Sequence, residues 1–365
     1  MTCTHTHDGR VMTMAPHETN DDDGVTGGGG GRGATIGRRD FLRATAGVAA
    51  AGAGLGAFAM STKEAQAMTA RRTGMTTEAV GATGGAGAAR PERYMKKSLK
   101  LGMIKLDGAS LEEKFRLAKA CGFDGVEMDS PNGFETDEVL AARDAAGIVI
   151  PGVVDSVHWG QPLSHPDPAV RAAGLAGLET ALRDCHAYGG TTVLLVPAVV
   201  NREVRYDEAY ERSQAEVKKA LPLAEELGVT IAFENVWNHF LLSPMEAARY
   251  VDEFESDRVG WYFDVGNIVN YGWPAHWVRV LGDRLVKLDI KDFSRGKRDA
   301  EGLWKGFGVE IGDGDADWPE VMAALDEIGY TTDAQHPGWG SAEVSGGGRE
   351  RLTEIAERMG MVYGA

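Results

Sequence analysis

From residue 99 onward, short apolar runs alternate with longer stretches in which apolar residues recur at spacings of three and four. Short apolar runs are typical of buried strands, and the three-and-four spacing is typical of helices with one buried face. The runs predict strands at residues 101–106, 125–128, 149–154, 192–196, 230–233, 260–263, 285–290 and 340–344. The stretches between them predict helices at residues 111–120, 137–146, 169–188, 207–227, 244–254, 318–328 and 350–359.

Glycines stand at the ends of several predicted helices, shortly before the next strand. They are Gly122, Gly147, Gly189, Gly228 and Gly329. Glycine commonly ends a helix because it adopts the left-handed backbone conformation there. Eight strand-helix units in a row imply a parallel sheet, so we predict an α/β fold with a single (β/α)8 TIM barrel over residues 98–362. A doubly wound sheet is the alternative, weakened because no Gly-x-Gly-x-x-Gly motif follows the first strand.

The segment before the predicted barrel has a different pattern. Arg38 and Arg39 precede an uncharged Ala/Gly-rich stretch at residues 44–60, and an Ala-x-Ala pattern follows at residues 65–67. This order resembles a twin-arginine export signal, which implies a periplasmic or other extracytoplasmic location. The alternative is an uncleaved anchor, but these 17 weakly apolar residues fall short of the roughly 20 that span a membrane. We predict a disordered leader with its signal peptide at residues 1–67 and a linker at residues 68–97.

Export by this route is predicted to depend on the arginine pair. We expect the mature protein to begin near Met68 and to reach the periplasm only when Arg38 and Arg39 are intact. Changing both residues to lysine and fractionating the cells checks this. Undiminished periplasmic protein in the double variant would contradict the prediction.

Composition narrows the class of protein. The chain has 365 residues, of which 43% are hydrophobic and 25% charged, which disfavours a fibrous, fully disordered or polytopic membrane protein. With 38 basic and 54 acidic residues the formal net charge is -16, so nucleic acid and anionic membrane surfaces are repelled at long range. The three cysteines lie far apart without a Cys-x-x-Cys spacing, so neither a disulfide framework nor a thiolate zinc site is indicated.

Carboxylates end four consecutive predicted strands. They are Glu234, Asp264, Asp289 and Glu343. The carboxyl ends of barrel strands surround the active site, and gathered carboxylates repel one another unless a cation neutralises them. The pattern therefore predicts one divalent metal ion, and an all-oxygen ligand set favours Mn²⁺ or Mg²⁺. For any single residue, a helix cap or a salt bridge to a lysine is the alternative; for Asp289 the candidate partners are Lys287 and Lys291.

Several segments together resemble the xylose-isomerase-like TIM barrels of the sugar phosphate isomerase/epimerase superfamily. They lie at residues 230–235, 264–266, 286–292 and 338–343. The resemblance implies that a divalent metal is held by Glu, Asp, His and Glu, carried over to Glu234, Asp264, the position of Asp289, and Glu343. Two positions depart from the family pattern: Asp289 replaces the metal histidine, and Asn267 replaces a histidine that faces the substrate.

The resemblance also implies an activity. We predict a metal-dependent sugar isomerase or epimerase that removes a proton alpha to a carbonyl group of an unphosphorylated keto sugar. In this hypothesis Glu234 and Glu343 are both metal ligands and acid/base groups, while His158 binds or protonates the substrate and Lys291 holds a substrate oxygen. Two alternatives stay open: His158 packs beside Trp159, and Lys291 forms a salt bridge to Asp292 or Glu127.

A small carbohydrate is the predicted partner. Candidate substrate-binding residues are Glu127, Asn267, Trp237 and Trp273. The two tryptophans are included because aromatic faces stack on sugar rings. Residues 293–318 form a long insertion, read as a lid or partner-contact loop. Neither nucleic acid nor, after signal cleavage, a membrane is an expected partner, and whether the chain forms a homo-oligomer stays open.

Two other functions compete with epimerisation. A lyase or hydratase would use the same proton removal on a 3-keto-glycoside and expel a leaving group, whereas a non-catalytic barrel would only bind sugar. An abasic-site endonuclease of the same superfamily is disfavoured, because it would need a histidine-rich zinc cluster and a basic face.

Overall fold

A computed structural model describes residues 92–365, in which eight parallel strands close into a barrel in sequence order. The strands are β1 Met95–Lys100, β2 Gly125–Ser130, β3 Gly152–Asp155, β4 Thr192–Leu195, β5 Thr230–Glu234, β6 Val259–Asp264, β7 Leu285–Ile290 and β8 Gly338–Ala342. β1 pairs with both β2 and β8, which closes the barrel. The predicted TIM barrel is confirmed.

Helices connect successive strands and cover the outside of the barrel. They are α1 Leu111–Ala120, α2 Thr136–Ala146, α3 Pro168–Tyr188, α4 Tyr206–Leu227, α5 Pro244–Asp252, α6 Val265–Val269, α7 Pro274–Leu281, α8 Arg295–Glu301, α9 Trp318–Glu327 and α10 Arg349–Tyr363. Short 3-10 helices lie at Leu101–Met103, Gly282–Arg284 and Leu303–Phe307. The helix starts follow local chemistry: Ser110 and Glu113 form a capping box at α1, and Asp167 caps α3, satisfying backbone N–H groups that have no partner within the helix.

The first predicted strand was wrong. Residues 101–106 were read as a strand because they are apolar, whereas β1 lies at Met95–Lys100 and a 3-10 helix follows it. Side chains alternate between the two faces of a strand. In β1, Leu99 packs outward in the core and Lys97 reaches the carbonyl oxygen of Ala356, while Ser98 and Lys100 turn into the barrel. Polar residues on the interior face hid this strand from a search for apolar runs.

Other predicted elements differ mainly at their ends. β3 begins at Gly152 instead of residue 149, and Val149 forms only an isolated bridge to Gly125. β8 ends at Ala342, so Glu343 follows the strand directly. The large apolar side chains between the sheet and the helices are fully buried, among them Phe115, Phe123, Tyr188, Trp261 and Phe263. This outer core holds the strands in the register that brings their carboxyl ends together.

The predicted leader at residues 1–67, its arginine pair, and residues 68–91 of the predicted linker lie outside the described residues. Within residues 92–365, no helix combines the length and the hydropathy that crossing a membrane requires.

Candidate metal centre

The four predicted carboxylates meet at the carboxyl ends of neighbouring strands. One oxygen of each of Glu234, Asp264, Asp289 and Glu343 lies within 4.8 Å of the corresponding oxygens of the others. Strand register produces this convergence, because Asp264 pairs with Asp289 across β6 and β7, and the backbone N–H of Glu343 donates to Ile290 at the end of β7. The structure thus brings together all four predicted ligands.

Burial leaves several of these oxygens without hydrogen-bond donors. Asp264 and Asp289 are fully buried, and Glu234 is 7% exposed. The side chain of Glu343 is 39% exposed, yet its Oε2 is buried and accepts no hydrogen bond. Both side-chain oxygens of Asp289 are likewise buried and accept no hydrogen bond. Buried acceptors without donors are costly unless a cation or water satisfies them. An all-oxygen set of this kind fits a hard divalent cation.

Burial raises the pKa of three of the four carboxylates. Burial, followed by the neighbouring carboxylates, raises the pKa of Glu234 well above its usual value. Burial also raises the pKa of Asp289 well above its usual value, although Lys100 opposes it, and raises that of Asp264 to about 7 against the pull of Lys291. Burial acts on Glu343 too, but Lys291 and Lys100 outweigh it and lower its pKa.

Lys291 pairs with two of the four carboxylates. Its Nζ is 2.7 Å from Asp264 Oδ2 and 3.4 Å from Glu343 Oε1. The alternative salt bridge to Asp292 does not form, since the oxygens of Asp292 accept from backbone N–H groups of the following loop and from Trp318 Nε1. The location agrees with a role for Lys291 at the reacting end of a substrate, and that role stays a prediction.

A second lysine, which the sequence did not indicate, reaches the same cluster. Lys100 Nζ is 3.0 Å from Asp289 Oδ1 and 2.8 Å from Glu127 Oε2. The alternative for Asp289, a salt bridge to Lys287 or Lys291, does not form; the lysine that pairs with Asp289 is Lys100. A lysine at the end of a barrel strand was the available signal, but the misplaced first strand concealed it. Burial opposes the charge on Lys100, yet the carboxylates, Asp289 first, hold its pKa well above the usual value.

Glu127, a predicted substrate-binding residue, lies in the barrel interior with an exposure of 1%. It accepts from Lys100, from Lys287 Nζ at 2.7 Å, and from the hydroxyl of Tyr262 at 2.9 Å. Three donors therefore occupy its carboxylate. Through the contact with Lys100, Glu127 holds that lysine in position. Contact of Glu127 with a substrate stays a prediction.

Two asparagines hold Asp264 in place. The backbone N–H of Asn267 donates to Asp264 Oδ1 at 2.9 Å, and its Nδ2 donates to Asp264 Oδ2 at 2.7 Å and to the carbonyl of Asn235 at 3.0 Å. Asn235 Oδ1 in turn accepts from the backbone N–H of Asp264 at 3.0 Å. Asn267, predicted to face the substrate, thus donates one amide hydrogen to the candidate ligand Asp264 and the other to the backbone of Asn235. Asn235 directly follows Glu234 in the sequence and was missed.

The two predicted tryptophans have different surroundings. Trp237 donates from Nε1 to the carbonyl of Asn267 at 2.8 Å and packs against Trp304 and Phe307, with ring centroids 4.9 and 5.0 Å away. Lys291 Nζ lies 5.2 Å from the centroid of Phe307, so this aromatic wall adjoins the carboxylates. Trp273 is 62% exposed and lies beneath the guanidinium of Arg295. Only Trp237 is tied by these contacts to the cluster.

The chain's match to known proteins agrees with this geometry. A family model described as a xylose isomerase-like TIM barrel matches residues 115–361. The chain belongs to this family. The resemblance seen in the strand-end motifs is therefore confirmed.

Relatives of this xylose isomerase-like TIM barrel include sugar epimerases. L-ribulose-5-phosphate 3-epimerase of Salmonella paratyphi C (strain RKS4594) is 28% identical over 233 residues, which cover 60% of this chain and 78% of the relative. The structure of D-psicose 3-epimerase in the presence of D-fructose matches with a TM-score of 0.59 and 19% identity over 74% of this chain and 100% of that chain. For 3-keto-D-glucoside 4-epimerase from E. coli, the TM-score is 0.58 with 17% identity, covering 74% and 100%. These structural matches share the fold, and the relatives support the predicted isomerase or epimerase class.

His158 packs in the loop that follows β3. It is 6% exposed, and its Nδ1 accepts from the backbone N–H of Val196 at 3.3 Å. Its ring also meets Trp159 edge to face at 5.5 Å. These contacts match the packed alternative, and the predicted role of His158 toward a substrate stays a prediction for this member of the family.

Proposed function

We propose that this xylose isomerase-like barrel is a divalent-metal-dependent sugar epimerase or isomerase that removes a proton alpha to the carbonyl group of a keto sugar. The observation that carries the proposal is the convergence of Glu234, Asp264, Asp289 and Glu343 within 4.8 Å, with buried oxygens that accept no hydrogen bond. The names of its relatives support the reaction class, because they include a ribulose-5-phosphate 3-epimerase and a psicose 3-epimerase.

The four carboxylates would hold Mn²⁺ or Mg²⁺, since both ions prefer oxygen ligands. When bound, such an ion polarises a carbonyl oxygen and stabilises negative charge that develops on it. Asn267 and Asn235 keep Asp264 oriented for this purpose through the hydrogen bonds described above. The remaining chemistry belongs to side chains of the protein.

Glu234 and Glu343 are suited to move the proton. Glu234 ends β5 and Glu343 follows β8, three strands apart around the barrel, so they approach a bound sugar from different directions. One carboxylate can remove the proton from one face, and the other can return a proton to the opposite face. Burial opposes ionisation of Glu343, but Lys291, 3.4 Å from its Oε1, and Lys100 outweigh it and lower the pKa of Glu343, which favours the ionised form that a general base requires.

Charge balance favours an uncharged, unphosphorylated substrate. Glu127 and the four clustered carboxylates face three ammonium groups, those of Lys100, Lys287 and Lys291. Two negative charges remain, and a divalent ion neutralises them. No positive charge of this network is then left over for a phosphate, which is normally bound by unpaired cationic or N–H donors. The predicted export of the chain supports the same choice, and an extracytoplasmic location remains part of the proposal.

A lyase or hydratase acting on a 3-keto-glycoside is the second candidate. The wall formed by Trp237, Trp304 and Phe307 offers aromatic faces beside Lys291, and such faces stack on sugar rings, including the second ring of a glycoside. The structural match to 3-keto-D-glucoside 4-epimerase supports this substrate class. Both candidates begin with the same proton removal, and they differ in whether a group then leaves.

Proton exchange in D₂O tests the proposal. Metal-free protein is incubated with keto sugars, keto-sugar phosphates and 3-keto-glycosides, with and without Mn²⁺, and deuterium is located by NMR. We expect Mn²⁺-dependent deuterium incorporation alpha to the carbonyl, faster for unphosphorylated than for phosphorylated sugars. Release of an aglycone would select the lyase. Binding of sugar without any exchange would contradict the proposal and identify a non-catalytic barrel.

A further inference from the structure

Lys100 is a largely buried lysine at the carboxyl end of β1. The residue pairs in register with Glu127 of β2, and its side chain is 17% exposed. Its Nζ lies between two carboxylates, 2.8 Å from Glu127 Oε2 and 3.0 Å from Asp289 Oδ1. The contact between Lys100 Nζ and Asp289 Oδ1 is an ion pair that lacks the geometry of a hydrogen bond.

We propose that Lys100 is a positioning residue that acts as a built-in counter-ion to Asp289. It holds the carboxylate cluster together while no metal is bound, and it lowers the affinity of the cluster for a divalent cation. This inference rests on the proposed metal centre and adds a specific role for a residue of β1.

The ammonium group of Lys100 is held firmly enough for this role. Glu127 gives one oxygen to Lys100 and the other to Lys287, and the hydroxyl of Tyr262 donates to the same carboxylate. Lys100 Nζ also lies 4.6 Å from the centroid of the Tyr262 ring, a cation–π contact. Such contacts to a buried, hydrogen-bonded carboxylate restrict the lysine, so its charge stays next to Asp289.

The sign of the effect follows from the charges. Asp289 is fully buried. An isolated buried carboxylate is costly, so its nearby ammonium stabilises the metal-free site. A bound divalent cation would share Asp289 with that ammonium, and the two positive charges would repel each other across a few ångströms of protein. Removing the ammonium therefore destabilises the metal-free protein and strengthens metal binding.

Three variants separate this role from a general loss of charge. Lys100→Met removes the ammonium and keeps most of the side-chain volume, whereas Lys100→Arg keeps the charge. Lys97→Met is the matched control, since Lys97 also belongs to β1 but bonds the carbonyl of Ala356 on the outer helix α10. Calorimetry with Mn²⁺ and thermal unfolding with and without Mn²⁺ are measured for each.

We expect Lys100→Met to bind Mn²⁺ at least about tenfold more tightly than the unmodified chain. Its metal-free form should unfold at a lower temperature, and Mn²⁺ should raise its Tm by a larger amount, because a ligand that binds only the folded state stabilises it in proportion to its affinity. Lys100→Arg and Lys97→Met should bind Mn²⁺ as the unmodified chain does.

The outcomes distinguish this inference from the proposed function. If the unmodified chain does not bind Mn²⁺ or Mg²⁺, the proposed metal centre fails. If it binds Mn²⁺ and Lys100→Met binds equally or more weakly, the counter-ion role is overturned while the metal centre stands. Should metal-free Lys100→Met fail to fold, refolding is repeated with Mn²⁺ present; recovery of the fold supports the proposal, and no recovery overturns it.

Discussion

Replacing Glu234 by glutamine is expected to lower kcat/KM for the keto-sugar substrate by about a thousandfold and to remove the bound metal. Glutamine keeps the shape of the side chain but loses both the negative charge that would bind the ion and the ability to accept a proton. Loss of a positioned acid/base group alone typically costs 10² to 10⁴ in rate, so about a thousandfold is a central value. Elemental analysis of the purified protein should show about one Mn²⁺ or similar ion per chain, absent from Glu234→Gln.

Glu216→Gln is the matched control for this variant. Glu216 is also a buried glutamate, 5% exposed, but it lies on α4 and pairs with Arg171 and Lys219 away from the cluster. The control should therefore keep its metal and its rate, even where its stability falls. Equal metal content in Glu234→Gln and the unmodified chain would remove Glu234 from the proposed centre.

Replacing Asp155 by asparagine is expected to stabilise the protein above neutral pH. Asp155 ends β3, is 1% exposed, and accepts one backbone hydrogen bond, from Val157 at 3.0 Å. Burial raises its pKa to about 7, opposed only in part by that hydrogen bond. The ionised carboxylate is therefore disfavoured in the folded chain, whereas asparagine stays neutral and keeps an oxygen for the N–H of Val157.

The direction of the pH dependence follows from proton binding. An unfolded aspartate titrates near pH 4, so between about pH 4 and pH 7 the folded chain binds more protons at this site than the unfolded chain. The contribution of Asp155 to stability is thus greatest below pH 4 and falls as the pH rises through 7. A pKa change of this size corresponds to a loss of about 4 kcal/mol.

Urea unfolding of both proteins between pH 4 and pH 8, with chelator present, measures the effect. The free energies of unfolding should be similar near pH 4, and Asp155→Asn should be more stable by up to about 4 kcal/mol at pH 8. Asp144→Asn is the control. The Asp144 side chain is 68% exposed, so this substitution removes a surface carboxylate instead of a buried one. A difference between Asp155→Asn and the unmodified chain that does not change with pH would contradict the assignment.

The sequence by itself determined the fold and the candidate ligands. The periodicity of apolar residues predicted α1 and β7 with the bounds observed, Leu111–Ala120 and Leu285–Ile290, because both elements bury a regular apolar pattern. The rule that barrel sites lie at the carboxyl ends of strands then indicated Glu234, Asp264, Asp289 and Glu343. These inferences need only local patterns and the order of the strands, which a linear sequence contains.

Only the tertiary structure decided the partners of these carboxylates. The alternative considered for Asp289 was a salt bridge to a lysine near it in the chain, yet the lysine beside it is Lys100, which barrel closure brings across from β1. Likewise Tyr262 of β6 meets Glu127 of β2 in the barrel interior. Such contacts depend on strand register and on which side chains point into the barrel. A shift of one residue in the register would turn every inward side chain of the strand outward. The polar interior face of β1 gave no apolar signal, so the strand that carries Lys100 was the one that local patterning misplaced.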